Sequence, residues 1–147
     1  AETIEPDGRV PAAPDPPVEH GDEADPALAH NLSGLGDVHH EPGGYQKALE
    51  CHERALESRL QVHGRNHAVV ADSYDRVGAA NEALGDLEKA LRCYTSAWTI
   101  RDDLPESFSD PKIARSLALI GGVHKAAGDL EQALHYAIRT TTARAAE

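Results

Sequence analysis

The chain contains no methionine and few aromatic residues, with one Trp, one Phe and four Tyr in 147 positions. A sandwich or barrel built on large rings is therefore disfavoured, and the 40% of hydrophobic residues must pack mainly as Leu, Ala, Val and Ile. Small apolar side chains let helices approach closely, which points to an all-α core. No apolar run reaches the length needed to cross a membrane, and the acidic, proline-rich amino terminus is unlike a signal peptide. Cysteine is scarce too. Cys51 and Cys93 form no metal-type pair, and such usage fits a reducing, cytoplasmic compartment. Starting at Ala1 without any Met, the chain reads as a processed product or a piece of a longer protein.

Clustered bases are missing as well. The net charge is −11, and residues 1–25 hold eight of the 25 acids with Arg9 as their one base. That segment carries −7, and the remainder only −4. Phosphate binding needs grouped Lys and Arg, so neither a nucleic acid nor an anionic membrane surface is an expected partner. Residues 1–24 carry Pro6, Pro11, Pro14, Pro16 and Pro17 among acids, Ala and Gly. Proline interrupts helices and little apolar area offsets the entropy of ordering, so an acidic, disordered or extended arm is expected there. It either solubilises the chain or meets a basic partner.

From Asp25 onward the sequence repeats. Asp25-Pro26-Ala27-Leu28-Ala29 returns as His67-Ala68-Val69-Val70-Ala71 and as Asp110-Pro111-Lys112-Ile113-Ala114. A second set contains Ala48-Leu49, Ala90-Leu91 and Ala133-Leu134, spaced by 42 and 43 residues. The units run over about 25–66, 67–109 and 110–147, and each predicts two helices. Asp25-Pro26 and Asp110-Pro111 are helix openings, since the Asp carboxylate can cap free amides and Pro lacks one. Leu28, Leu32 and Leu35 follow at helical spacing, as do Val70, Tyr74 and Val77, and Ile113, Leu117 and Ile120. Gly43, Gly85 and Gly128 permit left-handed turns into second helices expected at 45–63, 86–104 and 130–145. Gly inside a helix costs about 1 kcal/mol relative to Ala, so Gly36, Gly78 and Gly121 need a reason. Their recurrence at one repeat position implies that a neighbouring helix passes too closely for a side chain.

These residues resemble the tetratricopeptide repeat family: a large residue, Gly four positions later, a Gly turn, and an Ala in the second helix. The period and the Tyr94-Thr95-Ser96-Ala97-Trp98-Thr99-Ile100 run are similar to the kinesin light chain and nephrocystin subclass, with His52-Glu53-Arg54-Ala55-Leu56 a looser copy. The resemblance implies a right-handed superhelical solenoid of three antiparallel helix pairs whose first helices line a concave groove. Its positions would be His30, Ser33, Asp37 and His40, then Asp72, Asp75, Ala79 and Glu82, then Arg115, Ala118, Gly122 and Lys125. Charge along that series passes from mixed to acidic to basic, which would orient a bound segment. Where light chains carry paired Asn residues, this chain has Ser33-Gly34, Asp75-Arg76 and Ala118-Leu119, which argues against a light-chain style grip. Repeat three has Ala137 where His52 and Tyr94 place a ring, and Leu130, Leu134, Ala137 and Ile138 predict an exposed apolar strip.

No enzyme or cofactor site is expected. His39-His40-Glu41 lacks the i,i+4 His pair that shares one helical face, and Gly64 intervenes between His63 and His67. Cys51 and Cys93 occupy equivalent places in stacked repeats, roughly 10 Å apart and beyond disulfide reach. Ser33-Gly34-Leu35-Gly36 falls inside a helix by its register and is no phosphate loop. The expected function is a non-enzymatic scaffold or adaptor for a protein or peptide partner. Alternatives are a structural subunit of a cytoskeletal or ciliary assembly, or a regulatory segment of a longer multidomain protein. Self-association through the last helix, or further repeats beyond it, is the way the apolar strip would be covered.

Overall fold

A computed structural model describes residues 25–145, with the backbone alone at 106–110, 130 and 141–145. The expected arm at 1–24 lies outside the described residues. Six helices follow one another: α1 Pro26–His39, α2 Tyr45–His63, α3 Ala68–Ala83, α4 Leu87–Asp103, α5 Glu106–Ala126 and α6 Leu130–Ala145. No strand occurs among the described residues. Each helix packs on the next in chain order and α3 also reaches α5, so the three pairs stack stepwise as an all-α solenoid.

Local chemistry sets the helix starts. Asp25 Oδ1 accepts from the Ala27 amide at 2.9 Å, and Pro26 opens the helix with no amide left to satisfy. His67 Nδ1 caps α3 through Val69 N at 3.1 Å, while Asp86 and Asp129 cap α4 and α6. Gly43, Gly85 and Gly128 have φ of 88°, 85° and 84°, so all three turns use the left-handed region as expected. The third repeat departs from its expected opening. Leu104 precedes Pro105 and is held extended, which ends α4. The chain then enters α5 at Glu106, leaving Pro111 inside the helix rather than at its start.

Two apolar clusters run across the repeat boundaries. The first joins Leu56 of α2 to Val70, Tyr74 and Val77 of α3 and to Cys93, Ala97 and Ile100 of α4, with Leu49 and Leu60 at its edge. The second joins Tyr94 and Trp98 of α4 to Leu117, Ile120 and Val123 of α5 and to Tyr136 of α6, with Leu87 and Leu91 at its edge. Each cluster thus needs the second helix of one repeat and both helices of the next. Burial pushes the Cys93 thiol up to about 12, and both cysteines are free.

The helix glycines are contact points, and a ring makes the contact in two cases. A Cβ on Gly36 would lie 2.5 Å from the His52 ring, and one on Gly78 would lie 2.7 Å from the Tyr94 ring. In repeat three the ring is displaced by one position instead of being lost. Tyr136 is buried, its Cβ faces Gly121, and it stacks on His124 and meets Trp98 edge-on. Ala137 is exposed. The expectation of a missing ring is corrected: a register taken from Ala133 overlooks the residue next door.

These contacts separate two kinds of helical glycine. Gly78→Ala should lower stability by about 1–3 kcal/mol, because the buried Tyr94 ring must shift. Gly122→Ala meets nothing within 4 Å and should raise it by about 0.5–1 kcal/mol through helix propensity. Urea unfolding followed by circular dichroism compares the two, and a destabilised Gly122→Ala chain would contradict the open placement of that residue.

Candidate functional site

The first helices of the three repeats face a concavity of about 370 Å³. Six of the expected groove residues line it: Asp37 from α1 and His40 at its carboxyl end, Asp72, Asp75 and Ala79 from α3, and Arg115 from α5. A second concavity of about 350 Å³ lies between α5 and α6 and takes in Ala118, Gly122 and Lys125. His30 is exposed. Ser33 is buried and accepts from Arg76 Nε at 3.1 Å, and Glu82 accepts from the Tyr94 hydroxyl at 2.9 Å. Eleven of the twelve positions therefore divide between two hollows and the contacts behind them, and His30 lies outside both.

Asp75 requires a correction. The repeat register puts it on an open acidic face, but only 6% of it is exposed. Arg101, itself buried, reaches from α4 between α3 and α5 and donates to Asp75 Oδ2 at 2.6 Å and Ser116 Oγ at 2.7 Å. Its other terminal nitrogen pairs with Asp72 Oδ1 at 2.7 Å. Lys112 of α5 lies 3.2 Å from the same carboxylate oxygen. Burial raises the Asp75 carboxyl above its ordinary range, against the pull of Arg101. Asp72 and Asp75, in the acidic middle of the expected charge series, are thus paired with cations of the fold itself. Asp37, too, lies 3.5 Å from Arg76. Arg115 and Lys125 remain exposed, as does Asp37, so the open surface of the groove carries both signs.

Several residues that shape this face lie outside the twelve expected groove positions: His52, Arg76, Tyr94, Lys112 and Leu119 line the first concavity, and Arg101 stands behind it. For Arg101 a signal existed. Arg59, Arg101 and Arg144 share one repeat position, as do Ser73 and Ser116. Both internal seams carry the same bond, Arg59 to Ser73 at 2.6 Å and Arg101 to Ser116 at 2.7 Å. His52 Nδ1 and Asp75 Oδ1 are buried without a hydrogen-bond partner among the described residues.

Elsewhere the titratable groups cap or pack. The His63 and His67 rings do come together, stacked at 4.1 Å across Gly64, but His67 Nδ1 is committed to the α3 amide. No group of three or more His, Cys, Asp or Glu suited to a metal occurs among the described residues. No helix among them is long and apolar enough to cross a membrane.

The family model for the tetratricopeptide repeat matches residues 25–103, more than half of the chain. Among solved structures, the chain is similar to BtubC (BKLC) from P. vanneervenii, with a TM-score of 0.79 and 27% sequence identity. That match covers 84% of this chain and 49% of the other, so the chain spans about half of BtubC's length. No curated protein matches in sequence.

Two predictions arise from the buried polar groups. Arg101→Ala leaves Asp75 uncompensated and should cost about 3–5 kcal/mol. Lys112→Ala breaks a part-exposed pair and should cost at most about 1 kcal/mol. Equal losses in urea unfolding would refute the different weights assigned to the two cations. Burial lowers the His52 imidazole from 6.5 to about 4. The unfolded chain therefore takes up the proton first, and stability present above pH 6.5 is lost as pH falls toward 4, by roughly 3 kcal/mol. His52→Tyr, the ring found at Tyr94, should flatten that slope in a series of unfolding curves from pH 7 to about 4.

Proposed function

The chain belongs to the tetratricopeptide repeat family, and from that premise we propose that it is a non-enzymatic scaffold or adaptor that holds a peptide or helical segment of a partner protein in its concave face. Repeats of this family generally mediate protein–protein interactions. The observation that carries the reading is the concavity itself, walled by α1, α3 and α5 and floored by His52 and Tyr94 from the second helices. Its polar lining suits hydrogen bonds to an extended or helical backbone. With Asp72 and Asp75 paired to Arg101, exposed Arg115 and Lys125 favour a segment that carries carboxylates.

The 42- and 43-residue spacing and the repeat openings support a place near the kinesin light chain subclass. The absence of paired Asn residues at the matching sites supports a different manner of gripping the segment. Free cysteines, one of them deeply buried, accord with a cytoplasmic setting.

Selection from a random peptide display library tests the groove. Binders should be enriched in Asp and Glu, and the Arg115→Glu, Lys125→Glu double variant should bind them at least about tenfold more weakly, which corresponds to about 1.4 kcal/mol, at unchanged helicity. Acid-free binders, or binders held equally by the double variant, would remove the groove from consideration.

A further inference from the structure

The solenoid has two faces at which its own internal seam is left half-built. At internal seams, Leu49 of α2 and Leu91 of α4 pack at the edges of the two apolar clusters, against the following repeat. Leu134 of α6 occupies the same repeat position and is 63% exposed, with Ile138 one turn on at 58%. The complementary half lies on α1. Val77 and Ile120 are 6% and 1% exposed, whereas Leu35, at the same position in repeat one, is 47% exposed. Ala80 and Val123 are 0% and 2% exposed, and their counterpart Val38 is 72% exposed. Isolated exposed apolar residues are ordinary, but Leu134, Leu35 and Val38 share repeat positions with residues packed into the internal seams, and together they form the two halves of one interface.

From this continuity with the α2–α3 and α4–α5 seams we infer that a second copy of the chain docks head to tail, its α1 lying on α6 as α3 lies on α2 and α5 on α4. The occupant is identified by shape and chemistry together. The α6 strip is cut for the first helix of a repeat, and α1 presents such a helix with its seam-side residues uncovered. The polar half of the seam also has both members in the sequence. Arg144 stands at the repeat position of Arg59 and Arg101, and Asn31 stands at that of Ser73 and Ser116, with an amide oxygen able to accept in place of the hydroxyl. The joint lacks the anchor of the α4–α5 seam, because Arg115 and Ala118 replace the Asp72 and Asp75 that hold Arg101. The contact is heterologous, so chains add in one direction into a ring or an open row. This inference concerns the ends of the solenoid and does not rest on the peptide groove.

Sedimentation equilibrium of the purified chain, over a wide concentration range, tests it with Val38→Asp and Leu134→Asp. The wild-type mass should rise with concentration, each variant alone should be monomeric, and an equimolar mixture should form a species of two chains and nothing larger. Only the mixture offers one intact α6 strip and one intact α1 face. Both residues are exposed, so circular dichroism and melting should match wild type at dilutions where it is monomeric. A wild-type monomer at every concentration overturns the inference. So does self-association that persists in either variant alone, because that would be α6 against α6 or α1 against α1, or a failure of the mixture to pair.

Discussion

An antiparallel helix pair can hide only one side of each helix against its mate, and its remaining apolar face has to be covered by the next pair. That constraint governs this molecule. Both clusters draw on the second helix of one repeat and the two helices of the following one, so no repeat holds a closed core of its own. The polar half of the same seam is an Arg that crosses it to a Ser, at Arg59 and again at Arg101. Buried arginine is costly when unpaired, and these side chains therefore favour one register of stacking over its neighbours.

The seam also decides what the concave face can offer. Asp72 and Asp75 belong by register to the groove-lining helix, yet Arg101 arrives through the seam and binds both. Charge that would have faced a partner is used between α3, α4 and α5. What remains toward the open side is a mixed surface on which Arg115 and Lys125 have no comparable restraint. A groove of this kind selects by position and hydrogen bonding first, and by charge second.

Within each pair the approach of the helices is governed by a ring seated on a glycine. His52 on Gly36 and Tyr94 on Gly78 are two versions of one contact, and Tyr136 beside Gly121 is a third with shifted geometry. The histidine version brings a burial penalty for its protonated form that a tyrosine does not have, which makes His52 an acid-sensitive point in repeat one.

Much of the fold was legible because a repeat displays the same solution three times. The 42- and 43-residue spacing, the left-handed glycines and five of the six helix positions follow from local chemistry, since caps, turns and periodicity act over a few residues. The start of α5 was not legible, because Pro111 is allowed both at the first position and, less comfortably, inside a helix, and the upstream Leu104-Pro105 step decided between them. The groove positions could be counted from the register, but their exposure could not. Asp75 and Ser33 share the polarity of open neighbours, and only an arginine from another helix turns one of them inward while Arg76 covers the other. Sequence alone determined which faces need company, because hydrophobic period is a property of one helix. Tertiary structure decided which charges stay free, because a long cationic side chain chooses among acids brought near by packing, and that proximity is written in no single segment.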